Sequence, residues 1–141
     1  PDNPFLYYLY GTELAESVQG ADPQRLERAE AMLKKALERN PFYANTYYML
    51  GRLYLKKGND KAAQDYFEKA CAFNPKHTNA HYQWLRIAVR LGEKDKATEL
   101  DKIVRRLHDE EKKQTQQTVT GVVEESLRGS MEGALLTRSK N

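Results

Sequence analysis

The 141-residue chain carries a formal net charge of +3, with 30% charged and 10% aromatic residues, enough for one domain with a buried core but not for two. The charge is spread thinly along the chain, too weak a field to argue for nucleic acid or a membrane surface, and no run approaches the roughly 18 apolar residues of a membrane span. The single cysteine, Cys71, cannot close an internal disulfide, so a soluble cytoplasmic or periplasmic protein fits equally. The chain begins at Pro1 without Met or a basic-then-apolar leader, which reads as a piece of a longer protein whose targeting signal lies outside it.

In chain order, the first helical segment carries Tyr7, Tyr10, Gly11 and Leu14. A stretch around Val18–Asp22 interrupts it, and Asp22–Pro23 is a helix start, with Asp as cap and Pro in the first turn. Ala29, Leu33 and Ala36 follow at helical spacing and Asn40–Pro41 closes the segment. Tyr47, Leu50, Gly51 and Tyr54 form the apolar face of the next helix. Gly51 sits on that face, where the missing side chain lets a partner helix approach. Gly58–Asn59 ends this helix, and Asp60 is placed to cap the one after it. Ala63, Phe67 and Ala70 line that helix in a small–large–small order, and Asn74–Pro75 closes it. The third pair carries His81, Trp84, Leu85 and Ala88, then Ala97, Leu100 and Val104.

These segments repeat. A shift of 34 residues places Asn45, Tyr48, Arg52, Gly58 and Ala63 on Asn79, Tyr82, Arg86, Gly92 and Ala97. It also places Ala29, Leu33, Ala36, Asn40 and Pro41 on Ala63, Phe67, Ala70, Asn74 and Pro75. The first helix needs a shift of 40, which puts Tyr7, Tyr8 and Gly11 on Tyr47, Tyr48 and Gly51. About six extra residues therefore separate the two helices of the first pair.

On Tyr47, Leu50, Gly51, Tyr54, Ala63, Phe67, Ala70 and Pro75, residues 44–75 resemble a tetratricopeptide repeat. The copy at about 4–41 fits well, and the copy at about 76–109 is degenerate, with Asp109 where the proline would fall. The resemblance covers three-quarters of the chain, and the charged end Arg105–Lys113 looks similar to bacterial members. It implies an all-α fold: a right-handed superhelix of antiparallel helix pairs, an α-solenoid of about seven helices. Residues 1–112 would form three repeats (4–41, 42–75, 76–109), and 113–141 a polar linker and an amphipathic C-terminal helix. It also implies a protein or peptide partner held in a concave groove lined by the first helix of each pair.

The positions just off the core stripe would then face that groove: Phe5, Tyr8, Thr12 and Glu16, then Asn45, Tyr48, Arg52 and Lys56, then Asn79, Tyr82, Arg86 and Arg90. Asn side chains both donate and accept, Arg forks suit carboxylates and Tyr supplies rigid contact area. The set reads as a groove for an extended or helical segment carrying acidic groups. The competing reading is that the Tyr side chains pack between repeats and the cations are merely solvated. The Lys–Asn clamp by which members of the family hold acidic chaperone tails is not matched, since Tyr8 and Thr12 stand at its places and Arg86 alone is in keeping.

Beyond Lys113, Gln114–Thr120 is polar and reads as a linker or a helix extension. Val119, Val123, Leu127, Met131 and Leu135 then form a stripe, with Val122 and Leu136 beside it. Gly121, Gly129 and Gly133 weaken this helix by about 1 kcal/mol each relative to Ala, so it needs a surface to dock on. The expectations are capping of the last repeat, self-association through Val123, Leu127, Met131 and Leu135 as a homo-oligomer contact, or binding of a partner or membrane surface. No cofactor, metal or catalytic centre is expected. His77 and His81 are four apart but lack a third ligand, Cys71 reads as packing, and Glu124–Glu125 as a solvated face.

Overall fold

In the computed structural model, which describes residues 2–17 and 22–140, six helices follow one another: α1 (Pro4–Glu16), α2 (Pro23–Arg39), α3 (Ala44–Lys56), α4 (Asp60–Phe73), α5 (Thr78–Arg90) and α6 (Lys94–Ser139). There are six rather than seven because the polar stretch 114–120 is helical and α6 passes through it unbroken. The hydroxyls of Thr115 and Thr118 donate to the carbonyls of Glu111 and Gln114, both at 2.9 Å, so residues that could compete for the backbone bond within the helix. Of the expected insertion, Val18–Ala21 lies outside the described residues. The chain divides into two compact units, residues 1–104 and 105–141.

Local chemistry sets the helix boundaries of the first unit. Asn3 accepts the Phe5 N–H at 2.9 Å with Pro4 opening α1, and Asp22 accepts the Gln24 N–H at 3.1 Å with Pro23 opening α2. At α4 the cap is Asn59, which accepts the Ala62 N–H at 3.1 Å, and not Asp60 as expected. Asp60 is the first helical residue, where its charge faces the positive end of the helix dipole. The turns after α3 and α5 pass through Gly58 and Gly92 at φ of 76° and 73°, a conformation that only glycine adopts without strain.

Two adjoining clusters fill the core. One joins Leu14, Ala15, Leu26, Ala29 and Leu33 of α1 and α2 to Met49, Leu50 and Leu53 of α3. The other joins Tyr47 of α3 and Ala63, Phe67, Ala70 and Cys71 of α4 to Ala80 and Ile87 of α5. The helix pairs close tightly where Gly was expected to permit it. A Cβ on Gly51 would stand 2.6 Å from a ring carbon of Phe67, and one on Gly11 would stand 2.8 Å from Leu33. Tyr47 and His81 hold the aromatic slot in the same way, bonding the carbonyls of Pro41 and Pro75 at 2.7 and 3.0 Å. Between α2 and α3, Glu30 takes hydrogen bonds from Tyr54, Lys57 and Lys34. Burial opposes its charge, but these donors outweigh it and hold the carboxyl at about 2.

The core expectations fail at the two ends. Tyr10 is exposed, and Tyr7, Trp84, Leu85 and Ala97 are half-buried, since a terminal repeat stacks on one neighbouring repeat where the central one stacks on two. Cys71 is buried in the second cluster, and burial first, then the nearby Glu68, pushes its thiol up to about 12.

In the second unit, no described residue from 108 onward is buried. Val119, Val123, Leu127, Met131 and Leu135 are half to two-thirds exposed.

Candidate interaction surface on the first helices

The predicted groove residues lie on α1, α3 and α5, the first helices of the three pairs. Across the first two, aromatic and amide groups form a connected row. The Tyr8 ring stacks on Phe5 at 5.9 Å and meets Tyr43 edge-on at 5.2 Å. Asn45 donates from Nδ2 to the Tyr43 hydroxyl at 3.0 Å, and its Oδ1 lies 2.8 Å from Nε2 of His77. The Tyr48 ring lies 4.8 Å from the His77 ring and 5.7 Å from Phe67.

His77 is the hinge of this row. It caps α5 by accepting the Ala80 N–H on Nδ1 at 3.1 Å, which leaves Nε2–H to donate to Asn45. One neutral tautomer satisfies both bonds. Burial, more than the nearby His81, pushes the His77 pKa below its usual value.

The basic row divides. Arg52 pairs with Glu16 of α1, and its guanidinium lies 5.9 Å from the Tyr48 ring centre. Lys56 donates to the Ala15 carbonyl. Arg90 makes a two-pronged contact with Asp60, Nε at 3.2 Å and Nη2 at 3.0 Å. Arg86 lies 6.0 Å from the Tyr82 ring centre and forms no ion pair among the described residues. Asn79, Tyr82 and Arg86 are all exposed, while their second-repeat equivalents Asn45, Tyr48 and Arg52 are half-buried and engaged. Thr12 is half-buried beside the row. The Arg52–Glu16 and Arg90–Asp60 pairs are partly exposed, the kind worth about 0–1 kcal/mol.

Sequence reasoning missed Tyr43 as a member of the row and weighed His77 only as a metal ligand. The signal was present in the shift of 34, which places Tyr43 on His77, each one residue before a first helix. Among the described residues no group of three or more His, Cys, Asp or Glu is placed to hold a metal ion, and both ring nitrogens of His77 are committed. Among the described residues no helix is long and apolar enough to cross a membrane.

The tetratricopeptide-repeat family model matches residues 44–77, and no curated protein matches the chain. Among solved structures the chain is similar to a crystal structure of MamA, at 22% identity and a TM-score of 0.70, over 79% of this chain and 61% of that one. It is similar to an arginine-to-glutamate mutant of MamA at 23% identity and a TM-score of 0.62, over 76% and 74%. A further crystal structure of MamA protein gives 22% identity and a TM-score of 0.65, over 79% and 57%. The likeness is one of fold, a solenoid of tetratricopeptide helix pairs. The chain spans 61% of the length of the first of these structures.

Proposed function

We infer that this chain, a tetratricopeptide-repeat protein, is a protein–protein interaction scaffold that takes a segment of its partner along α1, α3 and α5. The fold supplies a rigid face with no chemistry of its own, and what distinguishes one such face from another is the side chains along it. The observation that carries the finer reading is the contrast along the row. Tyr8, Asn45, Tyr48, Arg52 and Lys56 are preorganised by internal partners, whereas Asn79, Tyr82 and Arg86 stand open. The engaged half gives shape and aromatic contact, and the open half gives a guanidinium and an amide. Together they favour an extended or helical segment whose acidic group reaches Arg86, with Arg90 released from Asp60 as a second contact.

Binding of fluorescein-labelled acidic decapeptides bearing one aromatic residue, set against Lys-substituted versions of the same peptides, tests this by anisotropy. The acidic set should bind and the basic set should not. Arg86→Glu should weaken binding at least about tenfold, the scale of a lost charge-assisted contact, with an unchanged circular dichroism spectrum. Equal affinity of wild type and Arg86→Glu removes the assignment.

A second reading is self-assembly in which the C-terminal helix docks on another subunit, favoured by the exposed stripe Val123, Leu127, Met131 and Leu135. In that case Leu127→Asp with Met131→Asp lowers the solution mass and leaves peptide binding unchanged.

A further inference from the structure

Within the chain the same seam is made twice. On α3, Met49 and Leu53 are buried against Ala15, Ala29 and Leu33 of the first repeat. On α5, Ala80 and Ile87 are buried against Ala63 and Phe67 of the second. Each seam therefore has an inserted face on a first helix and a receiving surface on the preceding repeat. One unused copy of each remains. The shift of 40 carries Leu6, Leu9 and Glu13 of α1 onto Thr46, Met49 and Leu53. Leu6 and Leu9 are 51% and 45% exposed, where Thr46 and Met49 are 1% and 4%. The shift of 34 carries Leu55, Ala63 and Phe67 onto Val89, Ala97 and Asp101. These last line an open cavity of about 650 Å³ together with Leu85, Arg86 and Arg90.

We propose that α1 of one copy of this chain inserts into the α5–α6 cavity of a second copy, so that molecules stack head to tail as the repeats stack within each. Charge favours this pairing. Along Pro4–Glu16 the only charged residues are Glu13 and Glu16, the latter paired with Arg52. By contrast α5 carries Arg86 and Arg90, the latter paired with Asp60, and no carboxylate; Glu13 and Arg86 carry the complementarity. Such a contact joins two different surfaces, so it does not close on itself as a two-fold dimer does and it propagates. It is weaker than the internal seams. Glu13 stands where Leu53 and Ile87 stand, and Asp101 where Leu33 and Phe67 stand, so carboxylates replace apolar groups at its centre and assembly is reversible. The contact shares Arg86 and Arg90 with the peptide-binding reading but uses the apolar faces of Leu9 and Val89, which that reading does not, and it is independent of the C-terminal stripe.

Sedimentation velocity of the full chain across a concentration series tests it, with circular dichroism on every variant. The wild type should show a mass that rises with concentration. Leu9→Arg and Val89→Glu should each hold the chain as a monomer, since both replace exposed side chains. An equimolar mixture of the two variants should give a 1:1 dimer and nothing larger, because each retains the one face the other has lost. Glu13→Leu with Asp101→Leu should tighten association by at least about tenfold. Monomers throughout, a mixture that stays monomeric, or assembly untouched by Leu9→Arg and Val89→Glu would each overturn the proposal. The last outcome, with mass restored to monomer by Leu127→Asp and Met131→Asp, assigns assembly to the C-terminal helix instead.

Discussion

At the scale of single residues, the least replaceable group in the row is His77. Its Nδ1 must accept the Ala80 N–H while Nε2–H reaches Asn45, so a protonated ring points a proton at another donor and loses the cap. Burial, and then the neighbouring His81, depress its pKa from 6.5. The unfolded chain therefore binds a proton below that pH that the folded chain resists, and stability falls as pH drops through about 6.5 and below. Urea unfolding at pH 7.5 and pH 5.5 should show a weaker fold at the lower pH. In His77→Asn, where the amide keeps a capping oxygen without titrating, that difference should shrink. Glu30 does not confuse the comparison. Its carboxyl, held at about 2 against an ordinary 4.5, gives up its stabilising charge only below that window. Identical pH responses of the two proteins would remove His77 from the account.

The helix pair is the element whose packing leaves least room. Gly51 lies against the Phe67 ring, and a methyl there has no space unless the ring moves. Since Phe67 is completely buried among Tyr47, Ala63 and Ile87, the ring has nowhere to go. Gly51→Ala should cost about 1–3 kcal/mol in chemical denaturation, the range for overpacking a well-filled core, despite the gain in helix propensity. A neutral effect would mean that α3 and α4 separate easily. Much of this level was legible in the sequence. The 34-residue spacing located Phe67 and both proline turns, and the shift of 40 located Gly51, because close packing admits few residue types at those positions. The three helix pairs and their order followed from the same constraint, but the fusion of the last of them with the C-terminal helix into one α6 did not. What stayed hidden depended on which polar atoms meet across repeats. Arg52 faces Glu16 and Arg90 faces Asp60, partners far apart in sequence, and no periodicity announces an ion pair. The His cap on α5 was hidden for a similar reason, since His is not among the favoured capping types.

For the whole molecule, stability is a sum over neighbouring repeats, and each seam protects the repeat before it. A chain ending at Pro75 loses α5 and α6 and uncovers Phe67, Ala70 and Cys71 of the second cluster. It should lose its cooperative thermal transition, read by circular dichroism at 222 nm, and should bind apolar dyes. An undiminished cooperative transition in that fragment would show that the first two repeats stand without the third. The end surfaces were only partly readable beforehand. Tyr10, Trp84 and Leu85 occupy core slots by type, yet at a solenoid's end the slot has one wall missing, a property of position in the array and not of the residue.

The burial of Cys71 has a practical consequence for all of these experiments. With its thiol pushed up to about 12, only about one molecule in 10⁵ carries the reactive thiolate at neutral pH, and the residue is 6% exposed. A maleimide dye therefore ignores the native chain and couples to any cysteine newly placed on its surface. One at Val89 and one at Leu9, labelled in separate batches and mixed, would report by energy transfer the approach of one molecule's head to another's tail, with no need to mutate the natural cysteine away.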